Sequence, residues 1–323
     1  MRNYIPGARI GGISMVIEGD RDYAEKFYRR CAKENFIPDF VSFFMYSYEI
    51  RRKIGQEDSA KLPAAGRSVE EEHICRLHEL MEETGLGRCK LYLTEWNNSI
   101  GNRNFLNDSC FRAAYIVAKT IDLWNGPDLM AIMGGTDWVS SYYDTNKILN
   151  GGVGLLTKDT IGKPALYALS FLGHMGTLFL SKGKNYILTK KGNGDLYLLC
   201  HNFSWIRQTP YAEHEDVGLE EMRQIRYEDE RALEMKFILH GIAEKGEYIL
   251  KKRSLNGQSG SVLDEWGRLG YETRLNRDDI KYLQAISVPR IEMEKSWTDE
   301  RGRMEISFKL RPQEVVLLHI YKT

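Results

Sequence analysis

At 323 residues the chain exceeds the roughly 250–300 at which a single hydrophobic core stops growing, so two domains are expected. Forty-five Lys and Arg balance forty-five Asp and Glu; the formal net charge of zero lacks the basic footprint of a nucleic-acid-binding chain. A hydrophobic content of 42% excludes wholesale disorder, and no apolar run reaches the roughly 18–20 residues that span a bilayer, so the expected place is the cytoplasm.

Up to residue 178, short apolar runs alternate with helical periodicity. Residues 8–14 read as a strand, and Ala24, Phe27, Tyr28 and Cys31 recur at i, i+3, i+4, i+7 as the inner stripe of an amphipathic helix. Residues 39–44 are the next strand, set off by Pro38. Ser68-Val69-Glu70-Glu71 is a capping box, in which the Ser oxygen and the second Glu each satisfy a free amide of a first helical turn. The helix it opens turns Ile74, Leu77 and Met81 inward and stops at Gly85. Residues 90–95 form a third strand. Asp108 reads as the cap of a helix with Phe111, Ala114, Tyr115 and Ala118 on one face, ending near Gly126. Residues 129–133 are a fourth strand, and Pro164 occupies the first turn of a later helix. This alternation predicts βα units around a parallel sheet.

Beyond about residue 184 the period becomes two. Residues 233–237 and 304–310 alternate apolar and polar side chains, as half-buried antiparallel strands do. Residues 186–190, 196–202, 247–253 and 315–321 are further strands, 278–287 is a helix, and the acidic stretch 213–230 reads as a solvated loop. The predicted fold class is therefore α/β followed by β, with an antiparallel β-sandwich in the second part. Cys31, Cys75, Cys89, Cys110 and Cys200 are scattered and never spaced as C-x-x-C, and His73 and His78 have the wrong spacing for a metalloprotease helix. Reduced thiols, no metal and no cofactor are expected.

Glu95 stands at the carboxyl end of a predicted parallel strand and is followed by Trp96, Asn97 and Asn98. In a βα barrel that end of the strands builds the active site, because the loops converge there. A carboxylate beside an indole suits sugar cleavage: the carboxylate meets an oxocarbenium-like carbon while the aromatic face covers the CH surface of the ring. A buried Glu paired with an Arg, or capping a loop, is the other reading of the same residues.

Thr94-Glu95-Trp96-Asn97 resembles the T-E-[WY]-N motif around the nucleophile of glycoside hydrolase family 39, the β-xylosidase and α-iduronidase family. Ile10-Gly11-Gly12 resembles the family's fifth strand, and Asp39-Phe40-Val41-Ser42 with Tyr46 its sixth. Asn107-Asp108 and Ala113-Ala114-Tyr115 are similar to the helix after the nucleophile strand, and Asn150-Gly151-Gly152-Val153-Gly154-Leu155 and Lys163-Pro164 to the family's H-G-G-F-G-L and K-P. The resemblance implies Glu95 as nucleophile and Trp96, Asn97, Tyr46, Phe44 and Met133 as substrate-binding residues. Phe44 stands where the family has a sugar-contacting His, and Met133 where it has a Trp; neither replacement repeats the contact of the residue it replaces.

The family's acid/base lies in an N-E-P tripeptide on strand four, and no N-E-P occurs in this chain. Only four strand–helix units are legible, where a closed barrel has eight. The expectation is thus the C-terminal half of a (β/α)8 barrel in residues 1–178, strands five to eight, followed by a β-sandwich in 179–323, with the first four strands preceding Met1. Ser99, Asn102-Arg103-Asn104, Asn107-Asp108-Ser109-Cys110, Leu156-Thr157-Lys158-Asp159 and Leu263-Asp264-Glu265-Trp266 resemble family-39-type modules fused behind AraC-type transcription regulators. The leading functional reading is a retaining, β-xylosidase-like hydrolase module, inactive without its other half. The alternative is a saccharide-sensing effector module of such a regulator, and the blandest is a scaffold. The expected partners are a xyloside-like saccharide, the missing barrel half and further copies of the chain. Direct nucleic-acid and membrane contacts are not expected.

Overall fold

The computed structural model describes residues 4–14, 17–48, 68–137, 147–207, 217–242 and 245–323. Packing divides the chain into two units: Met1–Ile100 with Asp122–Met133, and Gly101–Ile121 with Gly134–Thr323. The architecture is mixed α and β.

The first unit is organised by three parallel strands in the order β1 (Phe40–Tyr46), β2 (Lys90–Asn97), β3 (Leu129–Ile132). Val41, Phe43 and Met45 of β1 and Leu91 and Leu93 of β2 are fully buried, so one face of this sheet is core. The helix Ile17–Lys33 buries Ala24, Tyr28 and Cys31, and the helix Val69–Glu83 buries Ile74, Leu77, Leu80 and Met81, as the periodicity predicts. Each such Leu, Ile or Met side chain contributes roughly 1.5–3 kcal/mol relative to exposure. The capping box forms: Glu71 N–H donates to Ser68 Oγ at 3.2 Å, and Ser68 N–H donates to Glu71 Oε2 at 2.7 Å.

Residues 8–14 do not make the strand expected of them. A single parallel bridge joins Gly11 to Phe40, with Asp39 N–H donating to the Ile10 carbonyl at 2.7 Å. Gly12 then takes φ +147°, outside the strand region, and the ladder stops. Gly11 cannot be larger, because a Cβ there would come within 2.5 Å of the Phe40 ring.

The strands of the second unit are β4 (Leu178–Gly183), β5 (Tyr186–Lys190), β6 (Leu196–His201), β7 (Leu233–Leu239), β8 (Glu247–Leu255), β9 (Arg290–Trp297), β10 (Met304–Leu310) and β11 (Val315–Lys322). Six of them form an antiparallel sheet in the order β4-β5-β6-β11-β8-β9, and β7 and β10 form a separate antiparallel pair. Alternate residues Leu196, Leu198 and Cys200 of β6, Leu250 of β8, and Val316, Leu318 and Ile320 of β11 meet Met235, Leu239, Met304 and Ile306 of the pair in one core. β4 and β9, and the helix Val262–Arg268, are absent from the sequence reading. The acidic stretch is not simply a loop: Leu219–Gln224 is a short helix, and residues 208–216 lie outside the described residues.

Asp108 is not a helix cap. It closes the 3-10 turn Phe105–Asp108, the helix begins at Cys110, and Ser109 Oγ accepts from Phe111 N–H at 3.2 Å instead. The reason is burial. A fully buried carboxylate needs a cation, and Asp108 finds one in Lys163 at 2.6 Å. No helix among the described residues is long and apolar enough to cross a membrane.

Candidate active site

Glu95 lies on β2, the central strand of the parallel sheet. The β1–β2 register runs regularly to Phe43 opposite Leu93, then jumps so that Phe44 faces Glu95, Met45 faces Trp96 and Tyr46 faces Asn97. Thr94 is the extra residue of a bulge, and the bulge re-aims the side chains after it. Without it, Glu95 would share the buried face of Leu91 and Leu93. With it, Glu95 joins the face of Phe44 and Tyr46, and Trp96 takes the buried one.

Three of the sequence-predicted residues surround Glu95. The Tyr46 hydroxyl donates to Glu95 Oε1 and lies 3.7 Å from Met133 Sδ. Phe44 meets the Tyr46 ring edge to face, with centroids 6.0 Å apart. Glu95 itself is half-buried, so its carboxylate is supported from one side and accessible from the other. Towards the start of the strands the same face carries Tyr92, stacked on Phe40 at 4.5 Å, and Thr94, whose hydroxyl is 2.9 Å from that of Ser14.

One predicted residue is not brought to this face, and another is buried at its end. Trp96 is 2% exposed and packs with the Met45 side of the sheet, opposite Glu95. Asn97 is fully buried and spends its amide on the Ser99 carbonyl at 3.0 Å, shaping the turn that leaves β2. Successive strand residues alternate, so Trp96 opposes Glu95, whereas Asn97, two residues on and opposite Tyr46, returns to the Glu95 side.

A second polar centre lies in the other unit, where the family-like segments around Asp108, Gly151 to Gly154 and Lys163 meet; the resemblance names the segments but not the ion pairs between them. Lys163 Nζ lies 2.6 Å from Asp108 Oδ1 and 2.7 Å from Asp137 Oδ2, and donates to the Gly152 carbonyl at 2.8 Å. Asp108 accepts from Gly151 N–H at 2.8 Å, Asp137 from Gly154 N–H at 3.0 Å, and Arg112 Nη1 donates to the Val153 carbonyl at 2.7 Å. Two carboxylates and two cations thus hold the glycine-rich segment that precedes Lys163. Gly151 at φ +78° leaves room for Asn104, whose backbone nitrogen would stand 2.5 Å from a Cβ. Burial pushes the Asp108 carboxyl up to about 6 against the pull of Lys163, with Asp137 adding to the rise, and burial pulls the Arg112 guanidinium down to about 10.

Among the described residues no group of three or more His, Cys, Asp and Glu side chains is placed to hold a metal ion. The chemistry on offer around Glu95 is that of one carboxylate with one oxygen held by a phenol and apolar walls on either side.

A β-xylosidase of Geobacillus stearothermophilus is 20% identical over 316 residues, an alignment covering 98% of this chain and 58% of that protein. The GH39 enzyme of Xanthomonas axonopodis pv. citri superposes over 100% of this chain and 62% of its own, with TM-score 0.76 at 18% identity. A monomeric β-xylosidase from Caulobacter crescentus CB15 gives TM-score 0.75 at 19% identity, over 99% and 62% of the two chains. The chain therefore spans about 60% of the length of these relatives. The sequence model of glycosyl hydrolases family 39 matches residues 1–305, nearly the whole of the chain, and this protein belongs to that family.

Proposed function

We propose that the chain is part of a retaining, β-xylosidase-type hydrolase, with residues 1–178 supplying strands five to eight of a (β/α)8 barrel and 179–323 an antiparallel β-sandwich. The observation that carries this reading is the bulge at Thr94, which turns Glu95 out of the core and onto the Tyr46 hydroxyl. Family membership and the β-xylosidases among its relatives support the substrate class.

In this reading Glu95 attacks the anomeric carbon with its free oxygen while Tyr46 fixes the other. The glycosidic C–O bond breaks as an acid from the remaining part of the barrel protonates the leaving oxygen. A glycosyl ester on Glu95 is formed and then hydrolysed by water, with the acid now acting as base. Direct displacement requires the two carboxyl groups about 5–5.5 Å apart. Phe44 and Met133 wall the sugar site without offering a strong hydrogen bond. The chain alone is expected to hydrolyse xylobiose negligibly, since general acid help typically contributes about 10²–10⁴-fold.

A 2-fluoroxyloside with a good leaving group tests the assignment. Offered to the chain co-expressed with the first four strands of its parent barrel, it is expected to label Glu95, and Glu95→Gln to abolish the label while keeping saccharide binding. Labelling of another carboxylate would refute it.

The apolar pair Phe44 and Met133 favours a second reading, a saccharide-sensing module of a transcription regulator. Calorimetry showing tight xylose-type binding to the same complex, without labelling or turnover, would select it.

A further inference from the structure

The Tyr46 hydroxyl has one proton. It donates to Glu95 Oε1, and Met133 Sδ stands 3.7 Å away as a second acceptor within reach. A thioether is a weak acceptor, so the carboxylate holds the proton as the protein stands. That order depends on the oxidation state of the sulfur. A sulfoxide carries a strongly polar S–O bond and competes for a phenolic proton far better than a thioether does.

Met133 is also placed to be oxidised. It is half-buried at the end of β3, whereas Met45 and Met81 of the same unit are 0% and 1% exposed. The ionisable side chains of this face among the described residues include Tyr46 on β1, Tyr92 and Lys90 on β2 and Arg9 ahead of β1; Lys90 is paired with Asp128 at 2.5 Å and Arg9 donates to the Tyr92 hydroxyl at 3.4 Å. β3 contributes Leu129, Met130, Ala131 and Ile132, none of them charged.

We propose that Met133 is an oxidisable switch on the Tyr46–Glu95 pair: a peroxide converts its thioether to the sulfoxide, which draws the Tyr46 proton away from Glu95. The sulfur lone pair attacks one peroxide oxygen, the O–O bond breaks, an S–O bond forms, and the departing hydroxide takes up the remaining proton as water. Sulfur loses the two electrons that the peroxide gains. Glu95 then loses the donor that fixes Oε1. The geometry stands without the hydrolase reading; only the consequence for catalysis rests on it.

The test uses the 323-residue chain labelled with carboxyl-13C glutamate, the Glu95 signal being assigned by its loss in Glu95→Gln. Its carboxyl chemical shift is followed at constant pH before and after hydrogen peroxide, with oxidation at each methionine read by peptide mass spectrometry. Met293, 57% exposed, is expected to oxidise first, Met133 next, and Met45 and Met81 last. As Met133 oxidises, the Glu95 signal is expected to move to the position it has in Tyr46→Phe, where the hydroxyl donor is gone. Met133→Leu, a swap of similar volume that cores tolerate well, is expected to remove the response. Tyr46→Phe is expected to show no further movement on oxidation. An unmoved signal with Met133 fully oxidised, the same movement in Met133→Leu, or Met133 resisting peroxide that exhausts Met293 would each overturn the proposal. Failure of fluorosugar labelling with this shift intact would refute the nucleophile reading and leave the switch standing.

Discussion

Glu95 owes its direction to Thr94, and the remaining ionisable side chains of note owe their state to burial. His201 is fully buried at the end of β6, with Nδ1 accepting from Phe203 N–H at 3.2 Å. Desolvation, helped by Lys119 and Lys184, pulls it down to about 3. Below its ordinary value of about 6.5 the unfolded chain takes up a proton there and the folded chain does not. Stability is therefore lost as pH falls from about 6.5 towards 3, by on the order of 4 kcal/mol across the window. Urea unfolding between pH 7 and 4 is expected to show this slope and His201→Asn to flatten it; an unchanged slope in the variant would assign the acid sensitivity elsewhere. Lys163 is the opposite case, a buried cation that two carboxylates require. Lys163→Met leaves Asp108 and Asp137 facing each other at zero and near-zero exposure, and is expected to destabilise the chain by about 3–5 kcal/mol in denaturant unfolding. Adding Asp108→Asn and Asp137→Asn is expected to recover much of that loss, which a purely steric role for Lys163 would not allow.

Among the elements, those with a local signal are where the sequence places them. The Ser68–Glu71 box, the stripe of Ala24, Tyr28 and Cys31, Pro164 at a helix start and the period-two runs of β7 and β10 each state their structure within a few residues. Ser68→Ala is expected to cost about 0.5–2 kcal/mol of stability by thermal unfolding, the range for loss of an N-cap. The other elements are those whose composition does not show what decides their form. Residues 8–14 have a strand's composition, but Gly12 turns the backbone aside after one bridge. Asp108 has a cap's position, but Lys163, fifty-five residues on, claims its carboxylate. β9 alternates Ile291, Met293 and Trp297 with polar residues, yet these apolar side chains are the exposed ones, so its pattern does not mark a buried face. Tyr46, Phe44 and Met133, which the family resemblance names, gather around Glu95, whereas Trp96 follows Glu95 directly in the strand and so points to the other face.

For the whole molecule, unpaired sheet edges dominate. Among the described residues β3 pairs only with β2, and β1 meets beyond it only the bridge at Gly11. Open strands of this kind template further pairing. β4, an edge of the six-stranded sheet, adds Leu178, Phe179 and Leu180, each at least 43% exposed. On the half-barrel proposal, sedimentation of the isolated chain is expected to show self-association, reduced on co-expression with the strands that would complete the barrel. A monomer with cooperative unfolding and no affinity for that half would argue against the half-barrel reading.

The central claim is that Glu95, turned outward by the bulge and held by Tyr46, is the nucleophile, and peptide mass spectrometry after 2-fluoroxyloside treatment tests it most directly. Tryptic peptides from the co-expressed complex are expected to carry the fluoroxylosyl mass on Glu95, and to lose it when Thr94 is deleted and Glu95 returns to the buried face. A label on any other carboxylate, or one that persists unchanged without Thr94, would contradict the account.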